Sequence, residues 1–380
     1  MASENVLDGA QFLDLNGSDL TTTTTEKAGF KPHPMCKYVH HSDYKPLREN
    51  LIMQVANYVI FSIAIYGFGT NLLSFFILGK ERSNNTSIFY LMCMSIADML
   101  TCLSYIVFNF QSWLYSHTLL LDMTAEINHA MKRMSAYTLH IRIVFSDISD
   151  LITLLIAIDR YIVVCWPFKA KRIISAKRCY IYVAVVVIVS ICDRLREFFK
   201  YYARRTINMC TGEVRWAFGL TAFSLRNIYL RYYEVFVSAP LLTVIPTVIV
   251  VLITIRLIFT LRRAGAARKT MSTTNQTSNS SSSSNDRSLT LALILISCFY
   301  IAKKAYTFRA VIKNLIIALY GRDSTVKGAP QSTLIAVLTQ NIARMIVASS
   351  NFVIYCASRR RFRDQLKAMF SSRRNGDKLN

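Results

Sequence analysis

Apolar residues are concentrated in long runs that recur along most of the chain. A helix needs about 20 mostly apolar residues to cross a bilayer, because no water is present there to satisfy the backbone amides. The runs reach that length repeatedly, which predicts an all-α, seven-transmembrane helix bundle. The predicted spans are residues 51–79, 86–112, 137–165, 179–202, 232–261, 288–315 and 331–356.

Two of the predicted spans are interrupted by charge. The first, second, third and fifth are clear, whereas the fourth loses its apolar character at Asp193 and the sixth at Lys303. Aromatic and aliphatic residues resume beyond both interruptions. Both spans are therefore predicted to continue as helices whose outer ends face water or protein.

The polar segments divide the chain around this bundle. Residues 1–50 are predicted to be a disordered extracellular arm, 51–356 the transmembrane domain, and 357–380 a short amphipathic eighth helix with a cytoplasmic tail. A Ser/Thr/Asn-rich loop at about 264–287 has no composition for packing and is predicted to be disordered in the cytoplasm. The basic tail predicts a cytoplasmic C-terminus, and seven crossings place the N-terminus outside.

Charge and motif content exclude several functions. The chain carries a net charge of +23 in a composition that is 53% hydrophobic. Bases spread over apolar helices disfavour nucleic-acid binding and favour membrane or ligand electrostatics. Metal-binding, nucleophile-elbow and phosphate-loop spacings are missing, so the sequence does not predict an enzyme.

Polar residues inside the spans follow the order of a known receptor family. Asn71 lies in the first span, Asp98 in the second, Asp159-Arg160-Tyr161 at the end of the third, and Asn351-Phe352-Val353-Ile354-Tyr355 in the seventh. These motifs, each on the right span, resemble those of the rhodopsin-like (class A) G-protein-coupled receptors. The alternative is that the polar groups only join helices to one another, but it does not explain their order.

The resemblance implies roles for these residues. Arg160, flanked by Tyr161, would be held by Asp159 at rest and released to contact a heterotrimeric G protein, while Tyr355 would move toward it. Asn71, Asp98 and Asn351 belong to the same switch. The resemblance also implies a sodium ion at Asp98, Ser149 and Asn351, with no other metal or cofactor.

The sequence departs from the family in its outer disulfide and in two spans. Ser135 stands where the family has the third-span cysteine, so a bridge between Cys36 and Cys210 is predicted instead, with two free thiols as the alternative. The seventh-span motif has Phe352 in place of proline. The segment 298–301 also lacks the family's proline, which removes the usual kink of the sixth helix.

Cations in the outer halves of three spans predict a ligand pocket. Arg142 lies 18 residues before Arg160, or about 27 Å along the helix. An aspartate stands at its position in the family's amine receptors, so a cationic ligand is disfavoured. The predicted anion-binding residues are Arg142, Lys303, Lys304, Arg344, Gln340 and Asn341. The alternative is internal pairing, in which Asp147 and Asp150 neutralise Arg142 or Arg344 and Lys303 reaches the headgroups.

Weaker resemblances indicate the ligand and the partners. Residues 183–202 and 349–363 resemble invertebrate neuropeptide receptors of the FMRFamide type, which implies a peptide with an acidic group, although other anionic small molecules stay open. The Ser/Thr-rich loop is a candidate site for kinases and arrestin, and its basic start for membrane lipids. Asn16 heads a glycosylation sequon. The competing functions for this plasma-membrane protein are a transporter or channel, and a ligandless scaffold or pseudo-receptor.

Overall fold

Long helices make up most of the structure, a computed structural model. It describes residues 12–14, 46–81, 86–120, 125–208, 214–221, 232–271, 290–305, 307–308, 311–312 and 330–376. The helices are α1 (Pro46–Lys80), α2 (Thr86–Leu120), α3 (Ala125–Cys165), α4 (Pro167–Ile173), α5 (Ala176–Lys200), α6 (Ile245–Met271), α7 (290–305), α8 (Pro330–Ser358) and α9 (Arg360–Gly376).

Seven of these helices correspond to the predicted spans, and several are longer than the spans. The third span, predicted at 137–165, lies within the 41-residue α3, which at 1.5 Å per residue is about 60 Å long. Because the hydrocarbon core is about 30 Å thick, α3 extends well beyond it. α6 continues to Met271 and so includes the first residues of the loop expected from 264. Two π-helical segments, Glu234–Ser238 and Pro240–Val244, precede α6.

Hydropathy alone identifies fewer spans than the fold contains. Within the described residues, three helical segments are long and apolar enough to cross a membrane: Gln54–Lys80, Thr86–Gln111 and Val235–Arg263. The third span, which the sequence indicated as clear, is not among them. Its helix carries Arg142, Asp147, Asp150, Asp159 and Arg160, all of them buried, and these charges lower its hydropathy.

The distribution of polarity across the bundle suits a lipid environment. Large apolar side chains point outward: Ile188 of α5 is 59% exposed, and Phe259 of α6 is 64% exposed. Charged side chains point inward, and Asp98 and Asp150 are each 4% exposed. A protein in water has the opposite arrangement, because exposed apolar patches of this extent cost free energy there. The seven-helix bundle predicted from the apolar runs is confirmed, and helices form almost all of the described fold.

A three-stranded antiparallel sheet adjoins the bundle, and the sequence analysis did not predict it. Its order is β1 (Phe12–Asp14), β2 (Tyr201–Asn208) and β3 (Val214–Leu220), with Tyr201 opposite Leu220 and Phe12 opposite Asn208. The fourth helix was expected to continue to residue 202 but ends at Lys200. Aromatic and β-branched residues favour strands as readily as helix ends, so composition alone misassigned Tyr201 and the following residue.

The short helix α9 follows α8 directly and is anchored by one aromatic side chain. Phe362 is fully buried and packs against Tyr355 (ring centroids 5.5 Å apart) and Phe352 (5.8 Å). Arg359, which separates α8 from α9, pairs with Glu81 at the end of α1 (Nη2–Oε1 2.7 Å). This helix is the amphipathic eighth helix that the sequence predicted.

Close packing of α1 against α2 and α8 depends on one glycine. A Cβ at Gly67 would lie 2.8 Å from Cys102 Sγ on α2 and still closer to Ser349 Oγ on α8, whereas a Cβ at Gly69 would meet nothing within 4 Å. We expect Gly67→Ala to destabilise the protein by about 1–3 kcal/mol because overpacking separates the helices. Thermal unfolding in detergent measures this, with Gly69→Ala as the matched control; equal effects of the two substitutions would contradict it.

Candidate functional site

A buried carboxylate on α2 joins three helices. Asp98 lies on the same buried face as Leu91, Met94 and Tyr105, since residues spaced by three, four and seven positions share one side of a helix. Its Oδ1 accepts a hydrogen bond from Ser149 Oγ of α3 (2.6 Å), and its Oδ2 accepts one from Asn351 Nδ2 of α8 (2.7 Å). The structure therefore brings together the three residues predicted for a sodium site.

A small polar cavity lies beside Asp98. Its volume is about 20 Å³, enough for one water molecule. Thr101, Ser146 and Thr153 are among the residues that line it. Its charged lining residues come from four helices: Asp98 from α2, Asp150 from α3, Lys303 from α7 and Arg344 from α8.

A second buried carboxylate pairs with both lysines of α7. Asp150 Oδ1 accepts a short hydrogen bond from Lys303, and Lys304 Nζ lies 2.8 Å from Asp150 Oδ2. Both lysines are buried, at 8% and 4% exposure, so Lys303 does not reach the headgroup region. The pairing alternative assigned Asp150 to Arg142 or Arg344, whereas in the structure Asp150 pairs with Lys303 and Lys304. Each lysine also lies within 6 Å of the Tyr300 ring centroid (5.8 and 5.7 Å).

Arg142 has no such carboxylate partner in the described part of the chain. Its guanidinium carbon lies 4.1 Å from the centroid of the Tyr105 ring and 5.2 Å from that of Phe108, both on α2. The side chain is 6% exposed, and its Nε donates no hydrogen bond to a described residue. Cation–π contacts stabilise by about 0.5–2 kcal/mol, whereas an unpaired buried charge costs several kcal/mol. The arrangement is therefore suited to receive an anion.

One of the two amides predicted for the ligand pocket, Asn341, contacts the tyrosine that Arg142 covers. Asn341 Oδ1 accepts a hydrogen bond from the Tyr105 hydroxyl (3.0 Å), which fixes the ring that Arg142 covers. Gln340 donates to Thr307 Oγ1 (3.3 Å). Arg344 lies one helical turn along α8 from Gln340 and lines the cavity at Asp98 instead.

The end of α3 carries the motif that resembled the receptor switch. Asp159 Oδ2 accepts from Arg160 Nη2 (3.1 Å), and the same carboxylate accepts from Thr86 (3.1 Å) and, over a short distance, from Ser87. Asp159 and Arg160 are each 4% exposed. Asp159 thus pairs with Arg160 in the structure, and the role of this pair as the resting state of a switch stays a prediction. Tyr161 stacks edge-on against Trp166 (5.5 Å) at the start of α4.

Two further switch residues occupy helix contacts. Asn71 Nδ2 donates to the carbonyls of Gly67 and Ala348 (both 2.9 Å), which joins α1 to α8. Tyr355 is fully buried against Phe362, and its hydroxyl has no hydrogen-bond partner in the described residues. Because the Tyr355 hydroxyl makes no hydrogen bond to a described residue, a movement of this side chain toward Arg160 would break none.

Sequence reasoning missed the ion pairs that Arg194 of α5 makes with Asp147 of α3 and with Asp193. Arg194 Nε donates to Asp147 Oδ2 (2.7 Å), so Asp147 neutralises neither Arg142 nor Arg344 as the pairing alternative proposed. Asp193 accepts from Ser238 Oγ (2.9 Å) in the π-helical segment. The sequence did offer one signal for these ion pairs: Asp193 and Arg194 are the charged residues that interrupt the apolar fourth span. Cys36, Cys210 and Asn16 lie outside the described residues.

Comparisons with known proteins identify the family. The model of the serpentine seven-transmembrane G-protein-coupled chemoreceptors of the Srw type matches residues 58–373. The chain belongs to this family. The FMRFamide receptor of Drosophila melanogaster is 23% identical over 369 residues, covering 94% of this chain and 61% of the relative. The sex peptide receptor of the same organism is 25% identical over 318 residues, covering 80% of this chain and 69% of the relative.

Membership in this family decides the main functional alternatives. The chain is a multi-pass G-protein-coupled receptor, and the predicted resemblance to invertebrate neuropeptide receptors is confirmed. No finding supports a transporter or channel. The chain spans 61% of the length of the FMRFamide receptor that it matches. The ligand and partners of that relative therefore do not transfer directly to this chain.

Proposed function

We propose that this receptor binds a peptide bearing an acidic group and responds by activating a heterotrimeric G protein. The observation that carries the ligand class is Arg142, a buried arginine with aromatic partners and no carboxylate within the described residues. A peptide carboxylate would supply the missing charge and two hydrogen-bond acceptors to the guanidinium fork. The relatives named for FMRFamide and for sex peptide support a peptide ligand.

The proposed orientation places the N-terminus outside the cell and the C-terminus in the cytoplasm. The exposed arginines Arg360 and Arg361 lie on α9, and Arg262 and Arg263 lie exposed near the end of α6. Clustered basic residues favour the cytoplasmic face and attract anionic lipid headgroups. This side would also contain Arg160, the predicted contact for the G protein, and the Ser/Thr-rich loop, the predicted site for kinases and arrestin.

In this proposal ligand and G protein act on opposite ends of α3. Arg142 lies in the outer half and Asp159–Arg160 at the inner end of the same helix. The contacts of Asp159 with Thr86 and Ser87 hold α3 against the start of α2. A ligand that moves α3 relative to α2 would therefore disturb the contacts that position Asp159, the carboxylate that pairs with Arg160.

A signalling assay tests the function. Cells expressing the chain are screened for calcium and cyclic AMP responses to peptides with free carboxylates and to their amidated counterparts. We expect a saturable response that Arg160→Ala lowers at least tenfold, because the released arginine is the proposed G-protein contact. Lys177→Ala, which removes an exposed charge near the start of α5, is the control and should leave the response intact.

Surface display separates receptor failure from folding failure. An epitope at the N-terminus should be detected on intact cells for the wild type and both variants, which also tests the orientation. Silence across a broad peptide set despite normal display would contradict the proposal and favour a ligandless scaffold or pseudo-receptor. A response unaffected by Arg160→Ala would contradict the proposed G-protein contact.

A further inference from the structure

The charged side chains that line the cavity beside Asp98 balance one another without any added ion. Two carboxylates, Asp98 and Asp150, and two cations, Lys303 and Arg344, line it. Lys304 pairs with Asp150 and adds a third cation next to the cavity. The negative charge that would attract a sodium ion is therefore already balanced by side chains of this chain.

The oxygens around the cavity are of the kind that binds sodium, but those of Asp98 already accept hydrogen bonds. Carboxylate and hydroxyl oxygens are suitable ligands for a hard cation, and Asp98, Ser149, Thr101, Ser146 and Thr153 supply them. However, the amide nitrogen of Asn351 and the hydroxyl of Ser149 already donate to the two oxygens of Asp98.

The positive charge of Lys303 opposes sodium binding more strongly than the oxygen ligands favour it. The ammonium group of Lys303 is held by Asp150, and Lys303 lines the same cavity as Asp98. In a site of low dielectric, repulsion between two like unit charges a few ångströms apart strongly opposes the binding of a second cation. The site as it stands does not suit sodium.

We propose that Lys303 is the resident cation of this cavity, a tethered ammonium group in the place that a dissociable sodium ion would take. Because Lys303 belongs to α7 while Asp98 and Asp150 belong to α2 and α3, the tethered charge also joins these three helices. The receptor's resting state should consequently be independent of sodium. Removing the charge of Lys303 should create a sodium site, since the oxygens of Asp98 and its neighbours would remain.

The test measures thermal unfolding of the purified full-length receptor in detergent, in sodium chloride and in choline chloride at equal ionic strength. No ligand is needed, so failure of the proposed peptide function would leave this test unaffected. We expect the wild type to have the same Tm in both salts. Lys303→Met should show a saturable rise in Tm with sodium, because an ion that binds only the folded state stabilises it.

Two variants make the assignment specific. Lys304→Met is the matched control, since Lys304 neighbours Lys303 in sequence and also pairs with Asp150 but does not line the cavity. Like the wild type, it should have the same Tm in sodium chloride and in choline chloride. Adding Asp98→Asn to Lys303→Met should abolish the acquired sodium response. Lys303→Gln repeats the measurement should the methionine variant not be obtained folded.

Either of two results would overturn the proposal. One is a saturable sodium response of the wild type that Asp98→Asn removes, which would mean that the ion binds despite Lys303. The other is a folded Lys303 variant that shows no sodium response, which would mean that Lys303 does not keep the ion out.

Discussion

Replacing Arg142 by glutamine is expected to weaken binding of a carboxylate-bearing peptide by about 30- to 3,000-fold. Removing one member of a buried, hydrogen-bonded charge pair costs about 2–5 kcal/mol, and each 1.4 kcal/mol is a factor of about ten in affinity. The loss of affinity should be large because Arg142 is buried and no carboxylate among the described residues competes with the peptide for its charge.

The peptide itself provides the sharper comparison. For each active peptide found in the screen, affinity is measured for the free-carboxylate form and the neutral amide form on wild type and Arg142→Gln. We expect the substitution to matter only for the carboxylate form, since the amide offers no charge to the guanidinium. Such a double-mutant cycle isolates the pairwise energy.

Two control variants separate charge, geometry and general damage. Arg142→Lys keeps the charge but loses the planar fork that pairs two oxygens, so it should recover part of the affinity. Arg133→Gln removes an exposed arginine of the same helix and should have little effect. Equal losses for both peptide forms would show that Arg142 supports the packing of Tyr105 and Phe108 rather than binding the carboxylate.

The apolar runs and motif order were sufficient to predict the fold and the receptor class. Both depend on local features: about 20 apolar residues are needed for each crossing, and Asp159-Arg160-Tyr161 is contiguous in the chain. The resemblance also supplied Asp98, Ser149 and Asn351, which the structure joins by two hydrogen bonds. Predicting the fold and this group of residues required no knowledge of how each helix is rotated about its axis.

The partners of the buried cations could not be predicted, because pairing depends on helix rotation and depth. The sequence placed Arg142, Lys303, Lys304 and Arg344 in one pocket, but Lys303 and Lys304 pair with Asp150, and Arg344 lines the cavity at Asp98. Sequence spacing fixes a residue's height on its own helix and not which neighbour it faces. The lysines were therefore predicted as ligand contacts when their described contacts are internal.

Substituting Asp150 by asparagine is expected to destabilise the receptor by about 3–5 kcal/mol, the usual cost of leaving a buried ion pair without one partner. Here two ammonium groups would lose their shared carboxylate at once, and both are more than nine-tenths buried. α7 would also lose its ionic connection to α3. Lower surface display and a lower Tm in detergent should follow, and both can be measured without a ligand.

Restoring apolar packing should reverse the damage even though no charge is restored. In the triple variant Asp150→Leu, Lys303→Met and Lys304→Met, the carboxylate and both ammonium groups are removed together, and such replacements are often neutral or stabilising. Asp147→Asn is the control, because its partner Arg194 is 19% exposed and also lies 3.6 Å from Asp193, so a smaller loss is expected. A triple variant as unstable as Asp150→Asn would contradict the pairing energy as the cause. The triple variant could also be stable but have raised basal signalling. In that case apolar packing supports the fold without restraining α7. The main role of the ion pairs would then be to hold α7 against α3.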